Sequence, residues 1–405
     1  MTLSTTLLDQ PVLVATSVSA KSTYHFDFLV RATCLGLLFT YVFFWRLYLP
    51  GFRIYTPAPI IFELARVPSL INWFVYIGSL ASLIWLYAHP SRKTPACIIA
   101  ACWLFWFLQD INRMQPFNLM YCYTLLMITF WYREKHIAQN ALRIMVCGVY
   151  FWAGFHKLNL SFYAQVAPWF LEPIHHLGDP PYGLMDQLFI NLIIFVPIYE
   201  LLIGVLLLFP ACRWLATYMA FIMLVVVLYC LGPLGHNWGA SVWPWNVWLF
   251  LMEFCLFNTQ NSKEKPALLF LKLHPTGILS VIIFMLAPII SIYNLQYTQL
   301  GFKLYSGNTV RGEILFPKEE TFSRLPKYVK NLMPPLQHQK EVTWALATEL
   351  HNAPYPAPEP MRIGAAGMCP YLDVPSKAVL RLTHPAPFYS LESKKVDTPL
   401  CPKPL

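Results

Sequence analysis

Nine stretches of this chain stay apolar for as long, or nearly as long, as a bilayer is thick, and they fill most of the first 295 residues. A helix needs about 20 such residues to cross the hydrocarbon core. The stretches run approximately over residues 28–48, 69–88, 95–109, 117–133, 141–158, 188–209, 213–231, 241–258 and 276–294. They predict an all-α, polytopic transmembrane helix bundle of about nine helices. The third and fourth are short and joined only by Gln109 to Pro116, so one re-entrant pair fits them as well.

Composition agrees with lipid as solvent. Apolar residues make up 57% of the chain and charged residues 12%, with a mean hydropathy of +0.48. A soluble domain carries about twice that charged fraction. The net charge of +9 does not indicate a nucleic-acid partner, because Lys and Arg are scattered through loops with no continuous basic stripe. The partner it predicts is the lipid bilayer.

Loop charge sets an orientation. Arg92 with Lys93, Arg133 with Lys135, Arg213, and Lys263 with Lys265 follow even-numbered segments, whereas Arg53, Arg66, Arg113 and Lys157 are spread over the others. Basic loops stay cytoplasmic. The expectation is a multi-pass protein of the cell membrane with residues 1–26 as a cytoplasmic segment, 27–295 as the membrane domain, and 296–405 as an extramembrane tail on the outer face. The start lacks a basic region followed by a short apolar one, so the first membrane helix is expected to serve as the insertion signal.

The tail is richer in charge and proline. Residues 302–309 and 310–316 read as strand, turn, strand, and the prolines after Pro354 predict an extended or loosely ordered end. Eight cysteines, Cys34 to Cys255, lie in or beside apolar runs, and no CxxC occurs. Cys369 and Cys401 can pair if the tail faces an oxidising space.

Polar groups inside apolar runs are expensive, at least about 2.5–3.5 kcal/mol for a charge at a helix centre, and so mark candidate sites. Tyr150 to Asn159 ends a helix with His156 and Lys157 beside small Ala153 and Gly154. A lysine in a low-dielectric pocket can act as a base at neutral pH, and one at a helix end can equally snorkel to the interface. Glu200 sits within an apolar run, one turn before Gly204, and must be paired or protonated; Lys157 and Arg113 are the available cations. The broken stretch Leu231 to Asn246 carries His236, Asn237, Trp238, Trp243, Trp245 and Asn246. It reads as a polar pocket under an aromatic lid or as an interfacial aromatic belt with a turn. Asp110 and Arg113 share a helical face and can neutralise each other, with Asn112, Gln115 and Asn118 nearby. On the expected topology this seam, Lys157 and the His236 loop meet at one membrane face. Lys157, His156 and His236 are the candidate catalytic residues. Asp110, Arg113, Glu200, Asn237, Trp245 and Asn246 are candidates for substrate binding. His175-His176 is a poor metal pair, because neighbours on a helix point apart, and the phosphate-loop, HExxH and Gly-x-Ser-x-Gly motifs do not occur.

The stretch Tyr150-x-x-Ala153-Gly154-x-x-Lys157-Leu158 resembles the corresponding helix of the horizontally transferred transmembrane helix family, which includes the vitamin K-dependent gamma-glutamyl carboxylases. The resemblance implies that Lys157 is the base that deprotonates vitamin K hydroquinone or a related quinone. His236-x-x-Gly239 lies where that family has another polar membrane-edge segment. The same stretch, with Glu200, Gly204, Leu207 and Leu208, is similar to DoxX-like and methylamine-utilisation MauE-like membrane proteins. The blocks Asp110–Pro116, Leu234–Asn246 and Leu304–Asn308 are similar to those of uncharacterised bacterial members. The resemblance covers roughly residues 25 to 295, and the tail lacks the large extramembrane domain of the carboxylases. Two functions follow as expectations. One is an enzyme acting on a lipid-soluble quinone with Lys157 as base. The other is a non-catalytic membrane subunit that anchors or assembles a redox protein partner.

Overall fold

The computed structural model describes residues 11–175, 183–257, 274–293, 300–303, 305–315, 327, 342–372 and 377–401. Helices α1 (Pro11–Phe43), the single turn α2 (Trp45–Tyr48), α3 (Ser69–Ala88), α4 (Lys93–Gln109), α5 (Pro116–Phe130) and α6 (Lys135–His156) come first. Helices α7 (Ala167–His175), α8 (Gly183–Leu206), α9 (Arg213–Leu231), α10 (Val242–Phe257) and α11 (Pro275–Val281) follow. Prolines open several of them where a missing N–H costs nothing. Pro116 starts α5, and Pro275 starts α11, where the His274 side chain accepts from Thr276 N at 3.2 Å. Helix α11 continues through a π turn at Ile282–Leu286 and a 3-10 stretch at Ala287–Tyr293.

Each apolar stretch is therefore helical, yet the expected count of about nine spans is not met. Among the described residues four helices are long and apolar enough to cross a bilayer: His25–Phe43, Ser69–Ala88, Pro210–Leu231 and Pro275–Ile292. These are consistent with a membrane protein. Lys93–Gln109, Pro116–Phe130, Ile193–Leu206 and Val242–Phe257 are shorter. The 15 residues of α5 rise only about 22 Å, against about 30 Å of hydrocarbon. Helix α6 has the length but carries Lys135, His136 and Arg143, and it is buried on nearly all sides by its neighbours. Apolar runs here serve burial within protein as well as supplying helices long enough to cross a bilayer.

The described residues of the tail form regular structure, which corrects, for residues 355–372 and 377–401, the expectation of a loose end after Pro354. Strands β1 (Arg311–Leu315), β2 (Val379–Thr383) and β3 (Lys395–Pro399) form an antiparallel sheet in that order, with Arg311 opposite Thr383 and Val379 opposite Pro399. Leu380 and Leu382 alternate inward and pack with Ile314, α12 (Val342–Leu350) and α13 (Pro358–Ala366). On the outward face Arg381 forms a two-pronged pair with Asp397, both bonds 2.8 Å. The hairpin expected at 302–316 is absent among its described residues, since β1 pairs with the distant β2; Leu304 and Phe316 lie outside the described residues. Cys369 and Cys401 are disulfide-bonded.

The tail rests on one end of the bundle. Glu349 accepts from Ile54 N at 2.6 Å and Tyr55 N at 3.0 Å, Tyr355 N donates to Asn112 Oδ1 at 2.8 Å, and Leu160 N donates to Phe388 O at 3.1 Å. The tail thus joins the loops before α3 and α5 to the end of α6.

Candidate functional site

Two glycines bring α6 and α8 to backbone contact. A Cβ on Gly154 would stand 2.5 Å from Leu201 N and from Pro197 O, and one on Gly204 would stand 2.6 Å from Phe151 N. The close crossing delivers the end of α6 to the last third of α8. There Lys157 Nζ donates to Glu200 Oε2 at 2.5 Å and to Ala153 O at 3.3 Å. Both side chains are largely buried, 11% and 8% exposed. A buried carboxylate needs a cation or a proton, and Lys157, rather than Arg113, supplies it.

The pair forms part of the wall of a cavity of about 420 Å³ enclosed by α6 to α10 and by the start of the tail. Volumes of this size hold small organic ligands. The lining is nearly all apolar, with Phe162, Phe170 and Leu171 among its walls; Lys157, Glu200, Tyr150, Asn246, Trp245 and Tyr305 bring the polar groups. Phe195 and Ile222 also line it and are among the exposed large apolar residues.

The sequence candidates divide into those inside the cavity and those outside it. Lys157, Glu200, Trp245 and Asn246 line it, with Asn246 Nδ2 bonded to Val242 O at 2.8 Å in its own helix. His156 lies beside it but points away: its Nε2 is 2.9 Å from Ser291 Oγ, and its ring stacks on Trp152. His236 is not in the lining; it stacks on Trp169 with centroids 4.4 Å apart and its Nε2 lies 2.6 Å from Trp169 O. Asn237 has φ of 49° in the turn that closes α9, where its N–H bonds Gly232 O, so backbone conformation accounts for an asparagine there.

Asp110 and Arg113 belong to a separate polar seam and do not neutralise each other directly. Asp110 pairs with Arg53 at 2.7 Å and accepts from Asn112 N and Ala58 N. Burial raises its pKa, but Arg53 and then Arg113 outweigh that and hold the carboxyl below its usual value. Arg113 instead spends its donors on Leu47 O, Tyr48 O, Trp106 O and Gln109 Oε1. Gln115 Nε2 reaches Ala353 O in the tail. This seam is a clamp between loops and tail. It shares an end of the bundle with Lys157 but contributes nothing to the cavity.

Six residues that matter here were not picked out from sequence as site residues. Tyr150 and the buried Glu253 of α10 are hydrogen-bonded, Tyr150 hydroxyl to Glu253 Oε1. Phe302 and Tyr305 enter the cavity from the tail, where both have positive φ. Asn159 holds that segment in place by donating to His156 O at 2.7 Å and Ser306 O at 2.9 Å and accepting from Phe162 N. Between these, Lys303 is buried, and burial pushes its ammonium down to about 8. Glu253 was legible as a carboxylate in an apolar run; the tail residues carry no signal short of the fold. No family model, no curated protein and no solved structure matches this chain.

Proposed function

We propose that this protein is a membrane enzyme that takes a lipid-soluble quinone, or a related ring-hydroxyl molecule dissolved in the bilayer, into the cavity and removes its hydroxyl proton with Lys157. One observation carries this reading: a buried Lys–Glu pair stands in the wall of a mostly apolar cavity, two of whose lining residues, Phe195 and Ile222, are exposed. A structural ion pair needs no cavity, and a cavity for an apolar ligand needs no charge. Burial penalises a charged ammonium, and a lysine acts as a base from its neutral amine. The Lys157 amine takes the ring-hydroxyl proton, which leaves a ligand oxyanion and the Lys157 ammonium, and the Glu200 carboxylate holds that ammonium. The resemblance of the Ala153-Gly154-x-x-Lys157-Leu158 stretch to the horizontally transferred transmembrane helix family supports the same chemistry.

Lys157→Arg separates base from snorkelling cation. Arginine keeps the charge and the stem but does not lose its proton near neutral pH. The variant is expected to match wild type in thermal stability and to lose oxygen consumption driven by a reduced naphthoquinone. Equal activity in both purified proteins would remove Lys157 as the base. Inactivity of the wild type towards quinols would favour the anchoring subunit.

The same reading puts the tail on the non-cytoplasmic face. Arg92, Lys93, Arg133 and Lys135 stand at the helix ends away from the tail, as basic cytoplasmic loops do, and the Cys369–Cys401 bond suits an oxidising compartment. In intact cells, an impermeant maleimide is expected to label Cys369 and Cys401 only after reduction. Labelling that requires permeabilised cells would reverse the orientation.

A further inference from the structure

Glu253 is the least explained charge-bearing group in the bundle. It is fully buried, it receives the Tyr150 hydroxyl on Oε1, and its Oε2 has no hydrogen-bond partner. Among the described residues no cation forms an ion pair with it. An ionised carboxylate with one hydrogen bond in a dry interior is far costlier than a neutral carboxyl with one unsatisfied group. Resting Glu253 is therefore a carboxylic acid.

Its one partner leads to the cavity. Tyr150 lines the cavity that holds Lys157, while Glu253 stands behind it on α10. Residues 150, 153 and 157 share a face of α6, and Lys157 folds back by a full turn to reach Ala153 O. Its Nζ is thereby drawn towards the level of Tyr150, roughly 4.5 Å of helix rise from residue 153. Two proton-bearing groups thus meet one cavity about a turn apart.

We propose that Glu253 is a proton donor to the cavity and that the Tyr150 hydroxyl carries the proton, which deepens the quinone reading and rests on it. Hydrogen positions are free to switch along the Tyr150–Glu253 contact. Glu253 passes its carboxyl proton to the Tyr150 oxygen as the Tyr150 hydroxyl passes its own to a ligand oxyanion. The net change is carboxylic acid plus ligand oxyanion to carboxylate plus ligand hydroxyl; Tyr150 is restored and no electrons move. Lys157 removes a proton at one ligand oxygen, and Glu253 supplies one at another. A ligand with two oxygens across an aromatic ring uses both.

The probe is 2-hydroxy-1,4-naphthoquinone, an acid whose enolate is coloured and whose protonated form is much less so. Added near neutral pH to the purified full chain in lipid nanodiscs, it is followed by tryptophan quenching for binding and by visible absorption for protonation. Wild type is expected to bind it with loss of the enolate band. A protonated-carboxyl infrared band should disappear on binding and be missing in Glu253→Gln. That substitution copies the neutral acid in shape, so it should fold and bind while the bound ligand stays coloured. Tyr150→Phe should keep the carboxyl band and also leave the ligand coloured. Binding without loss of colour in wild type, loss of colour in Glu253→Gln, or no protonated-carboxyl band in the resting protein would each overturn the donor role and leave the cavity reading standing. No binding by wild type would overturn the cavity reading and the donor role with it.

Discussion

A Gly154→Val protein is expected to enter the membrane but fail to assemble α6 against α8. The new Cβ would stand 2.5 Å from two backbone atoms, Leu201 N and Pro197 O, and 3.1 Å from Glu200 Cβ. A flexible side chain could swing aside; backbone within a packed helix cannot. Overpacking typically costs 1–3 kcal/mol, and separating the most extensive helix pair in the bundle puts this case at about 3 kcal/mol or more. The measurement is the thermal midpoint of the detergent-solubilised protein, with Gly78→Ala as the control. Gly78 has nothing within 4 Å of its added Cβ, so that change should be neutral or slightly stabilising. A Gly154→Val midpoint equal to wild type would show that α6 and α8 do not cross at backbone contact.

Breaking the ion pair from one side should be at least as harmful. Glu200→Ala leaves the Lys157 ammonium buried without its carboxylate, a loss that typically costs about 3–5 kcal/mol. The double variant Lys157→Met with Glu200→Leu removes both charges and keeps the volume, and such replacements are often neutral or stabilising. The expected pattern is a steep fall in midpoint for the single change and recovery in the double, which nevertheless has no quinol-driven oxygen consumption. If the single change leaves the midpoint untouched, Glu200 is solvated and the pair is not a buried one. If the double variant keeps its activity, neither residue handles the substrate's proton.

What the sequence revealed and what it hid follow from the range of the forces involved. The helices from α3 to α11, except α7, lie where apolar runs put them, because hydropathy is a local property. Glu200 stood out for the same reason, and Gly154 and Gly204 beside it announced close packing. The number of spans was misread because a run such as that of α5 is equally apolar whether it meets lipid or the flank of α6. Asp110 and Arg113 looked like partners by spacing, but a loop contributed Arg53 from 57 positions away in the chain. The tail was hardest. The partner of β1 lies more than sixty residues on, and Phe302 and Tyr305 take their place in the cavity through backbone shapes that no pattern of side chains encodes.

Those two residues also set an order of construction. Ribosomes make α6 to α10 before residue 302, so the emerging bundle has the Lys157–Glu200 pair before it has the segment that completes its surroundings. Asn159 waits for Ser306. Until the later chain arrives, the pair lies beside an unfinished chamber that admits water, and water levels the desolvation on which a lysine base depends. Under the base chemistry proposed above, Lys157 is made early and the enclosure that would activate it is supplied late, by a part of the chain that folds outside the helices.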